Sequence, residues 1–197
     1  LSYCRFCKAA MATNMKLPVL VVVGPTASGK SGFALQIARK YGGELICADS
    51  RTVYKGMNIG TAKPSKEEQT EVPHWGLDLV NPNQRYTAAD FQRYACEKIQ
   101  EIQERGNLPI VVGGTGLYVD GVILGYNFPK EPSPEERQKL EKMSQDSLYK
   151  YCVKNNVKLP INDKNKRHLI RQLLSRNQNS SISWKVDANI IVVGITT

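Results

Sequence analysis

Gly24-Pro25-Thr26-Ala27-Ser28-Gly29-Lys30-Ser31 sets two glycines, a lysine and a hydroxyl at the spacing G-x-x-x-x-G-K-[ST]. The chemistry this spacing permits is the holding of a polyphosphate. Glycines let backbone N–H groups converge on phosphate oxygens at a helix N-terminus, the lysine adds a mobile positive charge, and the last hydroxyl offers an oxygen to Mg2+. A glycine-rich turn with a surface lysine would look similar, but at ordinary residue usage the pattern arises by chance roughly once in a hundred chains of this length. Asp49, at the end of the apolar run Leu45-Ile46-Cys47-Ala48, is the second chemical group. It can bind Mg2+ as in a nucleotide kinase or NTPase, serve as a base, or cap the following loop. A P-loop defines the ligand as a polyphosphate and leaves open which bond breaks.

The elements around these residues are those the motif requires. Leu17 to Val23 is an almost unbroken apolar run, as in a strand buried on both faces of a parallel sheet, and Phe33, Ala34, Ile37 and Ala38 recur at helical spacing as far as the Gly42-Gly43 stop. Further strands are expected over 44–48, 74–79, 108–112 and 189–195, with helices over 87–105 and 115–124. Alternating strands and helices predict an α/β fold, a P-loop NTPase-like three-layer parallel sheet over residues 17–125. An open parallel sheet binds ligands outside the carboxyl ends of its strands, where both the P-loop and Asp49 fall. Residues 126–160 turn rich in Pro, Glu and Lys, with helical patterns at 134–142 and 144–153, and predict a small helical appendage. Residues 161–197 are expected to return to the core through a basic amphipathic helix, 164–176, and the last strand, while 1–16, unlike the rest of the chain, reads as an extension or a disordered tail.

The formal net charge of +9 suits an anionic partner. No stretch approaches the ~20 apolar residues of a membrane span, so no membrane association and a cytoplasmic location are expected. Five cysteines without a cleavable signal argue for reduced thiols. Cys4 and Cys7 form a CxxC pair, but no second pair follows and His74 and His168 stand at the wrong spacing for a zinc finger. Met11 or Met15 is an alternative start.

Asp49-Ser50-Arg51-Thr52-Val53-Tyr54-Lys55-Gly56-Met57-Asn58-Ile59-Gly60-Thr61-Ala62-Lys63-Pro64, together with the P-loop and Gly113-Gly114-Thr115-Gly116-Leu117-Tyr118, closely resembles the three ordered motifs of the tRNA dimethylallyltransferases (tRNA isopentenyltransferases). The resemblance implies transfer of a dimethylallyl group from dimethylallyl diphosphate to N6 of a tRNA adenine near the anticodon, with diphosphate as leaving group. Gly24 to Ser31 would then hold the donor diphosphate, with Thr26 and Lys30 in the catalytic set and Mg2+ at Ser31. Asp49 would be the general base, and Asp49, Ser50, Arg51 and Thr52 would line the adenine pocket. It further implies tRNA contacts at Thr115, at Arg137, and along Arg167, His168, Leu169, Ile170 and Arg171, where Asn165–Arg171 resembles the family's RNA-contacting helix. A monomer is expected. Thr52 replaces a common Gln, Gln172 and Leu174 replace the family's Ala and Glu, and the family's C-terminal part is not expected within these 197 residues. The competing expectations are an enzyme using free adenine nucleotides, a P-loop nucleotide kinase or NTPase, and a catalytically impaired tRNA-binding fragment.

Overall fold

The structure, a computed structural model, describes residues 17–128, 133–175 and 189–196. Cys4, Cys7, Met11 and Met15 lie outside the described residues. Five strands form one parallel sheet: β1 (Val19–Val23), β2 (Gly43–Cys47), β3 (His74–Trp75), β4 (Leu108–Gly113) and β5 (Ile190–Gly194), in the order β3-β2-β4-β1-β5. Their register pairs Val21 with Val111 of β4 and with Val192 of β5, and Ile46 with Val111. The apolar run of β1 is needed because both sheet faces are covered. Val19 and Val21 pack on one side with Ile46 and Val111 against α3 (Ala88–Glu104) and α4 (Gly116–Leu124); Val22, Leu45, Ile110 and Val112 pack on the other against α1 (Lys30–Tyr41). This is the expected three-layer α/β arrangement. The crossover from β1 passes over one face and that from β4 over the other, so β1 and β4 flank the topological switch point where open sheets leave a crevice.

Local signals explain the element ends. α3 begins on a capping box in which the Thr87 hydroxyl accepts from Asp90 N and the Asp90 carboxylate accepts from Thr87 N. Two elements differ from the sequence expectation. A six-residue helix, α2 (Lys66–Glu71), opens on a second capping box, Ser65 with Glu68, and buries no residue, so it has no apolar period to read. β3 stops at Trp75 rather than running to Leu79, because Gly76 turns with φ 82 and a side chain there would meet the Cys47 carbonyl at 2.7 Å.

Residues 127–183 form a separate compact unit. Among its described residues, α5 (Pro134–Lys142), α6 (Gln145–Lys154) and α7 (Lys166–Ser175) bury Leu140, Leu148, Cys152, Leu169, Ile170 and Leu173 together. The basic amphipathic helix was expected to return to the sheet; its apolar face instead closes this three-helix core. Among the described residues no helix is long and apolar enough to cross a membrane.

Candidate active site

The loop from β1 to α1 wraps as its glycines require. Gly29 stands at the N-cap of α1 with φ 80, and Ala27 also has a positive φ of 65. The cap makes no side-chain hydrogen bond, so the first N–H groups of α1 are left for a ligand. Lys30 Nζ donates to the Pro25 carbonyl at 2.9 Å, which holds the ammonium over the loop. Ser28 Oγ is buried with no hydrogen-bond partner among the described residues, as expected of a hydroxyl kept for a ligand oxygen.

Asp49 follows β2 and stands half-buried at the carboxyl edge of the sheet. Its Oδ1 accepts from Arg51 N at 2.7 Å, and its carbonyl accepts from Thr52 Oγ1 at 3.2 Å, so the acidic turn is closed on itself. Thr115 would ordinarily cap α4; instead its Oγ1 accepts from Ser50 N at 3.1 Å and ties that turn to the end of β4. The two strand ends approach so closely that a Cβ on Gly113 would lie 2.1 Å from the Ala48 carbonyl, which makes glycine obligatory there. The neighbouring thiol is inert: burial, with the Asp49 charge adding, pushes Cys47 up to about 12.

P-loop and acidic turn open onto one cleft of about 980 Å3, lined by Gly24 to Ala27, Gly29 to Ser31, Asp49 to Thr52 and Thr115, and also by Gly60 to Pro64, Glu68 and His74. Of the residues expected from sequence to hold phosphate, act in catalysis or line the adenine, this cleft is lined by all but Ser28. Gly60 to Pro64 belong to the motif from Asp49 but have no role in the site expected from sequence. His74 Nδ1 lies 2.7 Å from the Val72 carbonyl, an acceptor, so Nδ1 carries the proton and Nε2 is the acceptor. Burial pushes that imidazole down, against weaker upward pulls from the Val72 carbonyl and the Glu68 charge. Gly60 to Pro64 stand in the motif that runs from Asp49, and the sequence signal for α2, which follows them, is Ser65-x-x-Glu68.

Ser31 is exposed at the start of α1 and Asp49 lies on the same cleft, so hard oxygen donors of the kind Mg2+ prefers are present. Among the described residues no three His, Cys, Asp or Glu cluster as a complete protein cage would require. That fits an ion that completes its shell with phosphate and water oxygens.

The remaining expected RNA contacts belong to the second unit. Arg137 is half-buried and pairs with Glu141 at 2.8 Å. On α7, Arg167, His168 and Arg171 are exposed, while Leu169 is 0% and Ile170 7% exposed inside the helical core. Leu169 and Ile170 are therefore removed from the expected RNA contacts: they form the packing face that the amphipathic pattern gives this helix, and helical periodicity leaves only the polar side chains on the surface.

The IPP transferase family model matches residues 52–189. A tRNA dimethylallyltransferase of Synechococcus sp. is 46% identical over 136 residues, which are 68% of this chain and 44% of the relative. One of Staphylococcus carnosus is 45% identical over 149 residues, 72% of this chain and 47% of the relative. The chain thus spans about half the length of these curated relatives. The crystal structure of a full-length tRNA isopentenylpyrophosphate transferase from Bacillus halodurans superposes with a TM-score of 0.61 at 37% identity, over 92% of this chain and 60% of that one.

Proposed function

The chain belongs to the IPP transferase family, and from that premise we propose that it transfers a dimethylallyl group from dimethylallyl diphosphate to the exocyclic N6 of a tRNA adenine near the anticodon, releasing diphosphate. The observation that carries the reading is a single cleft bearing two kinds of group: a phosphate-binding loop with its lysine, and a carboxylate on the next strand end. The first suits the leaving group. The second suits the attacking one.

Bond changes follow from those two places. N6 attacks C1 of the donor, the C1–O bond breaks with its electron pair going to the diphosphate, and the Asp49 carboxylate takes the N6 proton. Backbone N–H groups of Ala27 to Ser31, the Ser28 hydroxyl and the Lys30 ammonium stabilise the charge that grows on the departing oxygens. Mg2+, held by Ser31 and the phosphates, would supply further neutralisation of that charge. Thr115, through Ser50 N, fixes the turn that presents Asp49, Arg51 and Thr52. An adenine stacked in RNA must be extruded to reach Asp49, at a cost of a few kcal/mol.

The tRNA assignment draws on charge as well as on relatives named for tRNA. Residues 127–183 hold twelve of the 27 Lys and Arg and six of the 18 Asp and Glu, so this unit carries most of the positive excess. Such a surface gains affinity for RNA by releasing counterions.

The test is mass spectrometry of tRNA after incubation with this chain, Mg2+ and dimethylallyl diphosphate; one five-carbon unit added to an adenine is expected. γ-Phosphate release from ATP without prenyl incorporation would instead make the chain a kinase or NTPase. RNA binding without product would make it a catalytically impaired tRNA-binding fragment.

A further inference from the structure

Gly60 to Pro64, which line the cleft, form one limb of an arch, residues 54–64, whose foot residue Tyr54 packs against the hydrophobic core while the rest of the arch stands clear of it. None of residues 55–62 is buried, and Ile59 at its crest is 98% exposed. Gly56, Gly60 and Ala62 take positive φ values of 74, 73 and 50, so the backbone turns sharply without help from packing. What secures the arch beyond Tyr54 is polar. At its foot Lys55 N donates to the Val80 carbonyl at 2.9 Å. Asn58 N donates to the Gly56 carbonyl at 3.1 Å and Thr61 Oγ1 to the Met57 carbonyl at 2.6 Å, both within the arch.

The Lys63 side chain ties the two limbs to each other and to the fold. It is 6% exposed, and Nζ donates to the Tyr54 carbonyl at 2.8 Å, Asn58 Oδ1 at 3.2 Å and Asp78 Oδ1 at 2.8 Å. These acceptors stand at the foot of the arch, near its crest and beyond it. Asp78 is itself anchored: its N donates to the Thr52 carbonyl at 3.1 Å, in the turn that carries Asp49. Three hydrogens on one ammonium therefore couple the arch, through Asp78, to the acidic turn.

We propose that Lys63 is a positioning residue that clamps the arch and holds its Gly60–Pro64 limb as the acceptor-side wall, without touching the reacting atoms. The proposal rests on the prenyl-transfer reading for what the wall positions, a tRNA adenine. It does not rest on it for the clamp. Donor binding, across the cleft on the P-loop, is independent of the arch.

Lys63→Met keeps the stem and removes all three donors. Amides 55–62 should then exchange with deuterium about tenfold faster or more, because local opening no longer breaks the clamp. Since misplacing a reacting group by about 1 Å costs up to ~100-fold, kcat/KM for tRNA should fall ~30-fold. Dimethylallyl diphosphate affinity should stay within error of the parent, and the thermal midpoint should fall by only the roughly 3–6 °C that a tenfold change in opening implies. Asp78→Asn, which leaves Lys63 its other acceptors, should give a smaller loss in the same direction, and the double variant should equal Lys63→Met alone because both act through one contact. Lys63→Arg should rescue only partly, since a planar fork does not fit three converging acceptors.

Unchanged exchange in Lys63→Met, additive losses in the double variant, or equal loss of donor affinity would each overturn the clamp. If Lys63→Met does not fold, Asp78→Asn decides by the same exchange and kinetic readouts. If the parent chain adds no prenyl group to tRNA, the functional reading fails, and the exchange measurement, which needs no substrate, still decides the clamp.

Discussion

Replacing Asp49 by Asn separates the roles that its position allows. The amide keeps an oxygen where Oδ1 now accepts from Arg51 N at 2.7 Å, and the Thr52 bond to the Asp49 carbonyl and the Ser50 bond to Thr115 do not involve the side chain. The turn should therefore survive. A hydrogen bond to a charged group is worth ~1.5–3 kcal/mol and a neutral one ~0.5–1.5 kcal/mol, so the stability cost is about 1 kcal/mol. For a chain of this size that is a thermal midpoint lower by roughly 3 °C. The chemical cost is larger: loss of a positioned general base slows turnover about 100- to 10,000-fold. The assay pairs single-turnover prenyl transfer to tRNA with titration of dimethylallyl diphosphate in Mg2+. A large fall in rate at unchanged donor affinity is expected. A parallel loss of donor affinity would refute the base assignment and make Asp49 a ligand of the Mg2+–diphosphate complex.

Three further outcomes follow from other contacts. Lys30→Ala should lower the transfer rate about 100-fold or more by removing the ammonium that sits over the loop, and full activity in a prenyl-transfer assay would contradict the leaving-group assignment. Gly113→Ala should lower the melting midpoint by roughly 10 °C, since a Cβ 2.1 Å from the Ala48 carbonyl forces β2 and β4 apart at their carboxyl ends. Glu44 is 4% exposed and receives Trp75 Nε1 at 2.7 Å, Asn107 Nδ2 at 2.8 Å and Arg105 at 2.9 Å. Burial raises its pKa, but these donors outweigh burial and leave the carboxyl below its ordinary range. The unfolded chain therefore protonates first on acidification, so the stability Glu44 contributes is complete above the ordinary carboxylate range and is lost as pH falls through its lower folded value. Glu44→Gln should cost about 2 kcal/mol at neutral pH, less than a wholly buried pair because Arg105 is 42% exposed, and should flatten the acid limb of a stability–pH curve.

How legible these features were depends on the sequence distance of the forces behind them. The P-loop could be read because its backbone turn, its lysine and the strand and helix that frame it are contiguous, and each constrains residue type independently. Asp49 could be placed at a strand end from the apolar run before it, though whether it meets phosphate or acceptor is a question of what stands opposite. The other wall was legible as a motif, Gly60 to Pro64, but not in what holds it. Its helix, α2, buries nothing and is announced only by Ser65 and Glu68, and its clamp joins Lys63 to Asp78 across 15 positions. Neither leaves a period in the sequence.

The displaced α7 shows the same limit from the other side. Leu169, Ile170 and Leu173 state plainly that one face of that helix must be covered, but an amphipathic stripe does not say by what, and either the sheet or the preceding helices would satisfy it equally. Leu140 decides the matter together with Leu148 and Cys152, because two short capped helices that bury, among the described residues, only these three side chains cannot cover them alone and need a third face. The apolar side of α7 is thus spent on holding the helical unit together, and its polar side, Arg167, His168 and Arg171, remains as surface. Replacing Arg167 with Ala should accordingly leave folding intact and weaken tRNA binding with a shallower salt dependence, by about one unit of slope for each phosphate no longer neutralised, whereas Leu169→Ala should melt the unit, costing about 2–5 kcal/mol. If both substitutions weakened RNA binding with unchanged melting, α7 would not be the packed, two-sided helix that its burial pattern describes.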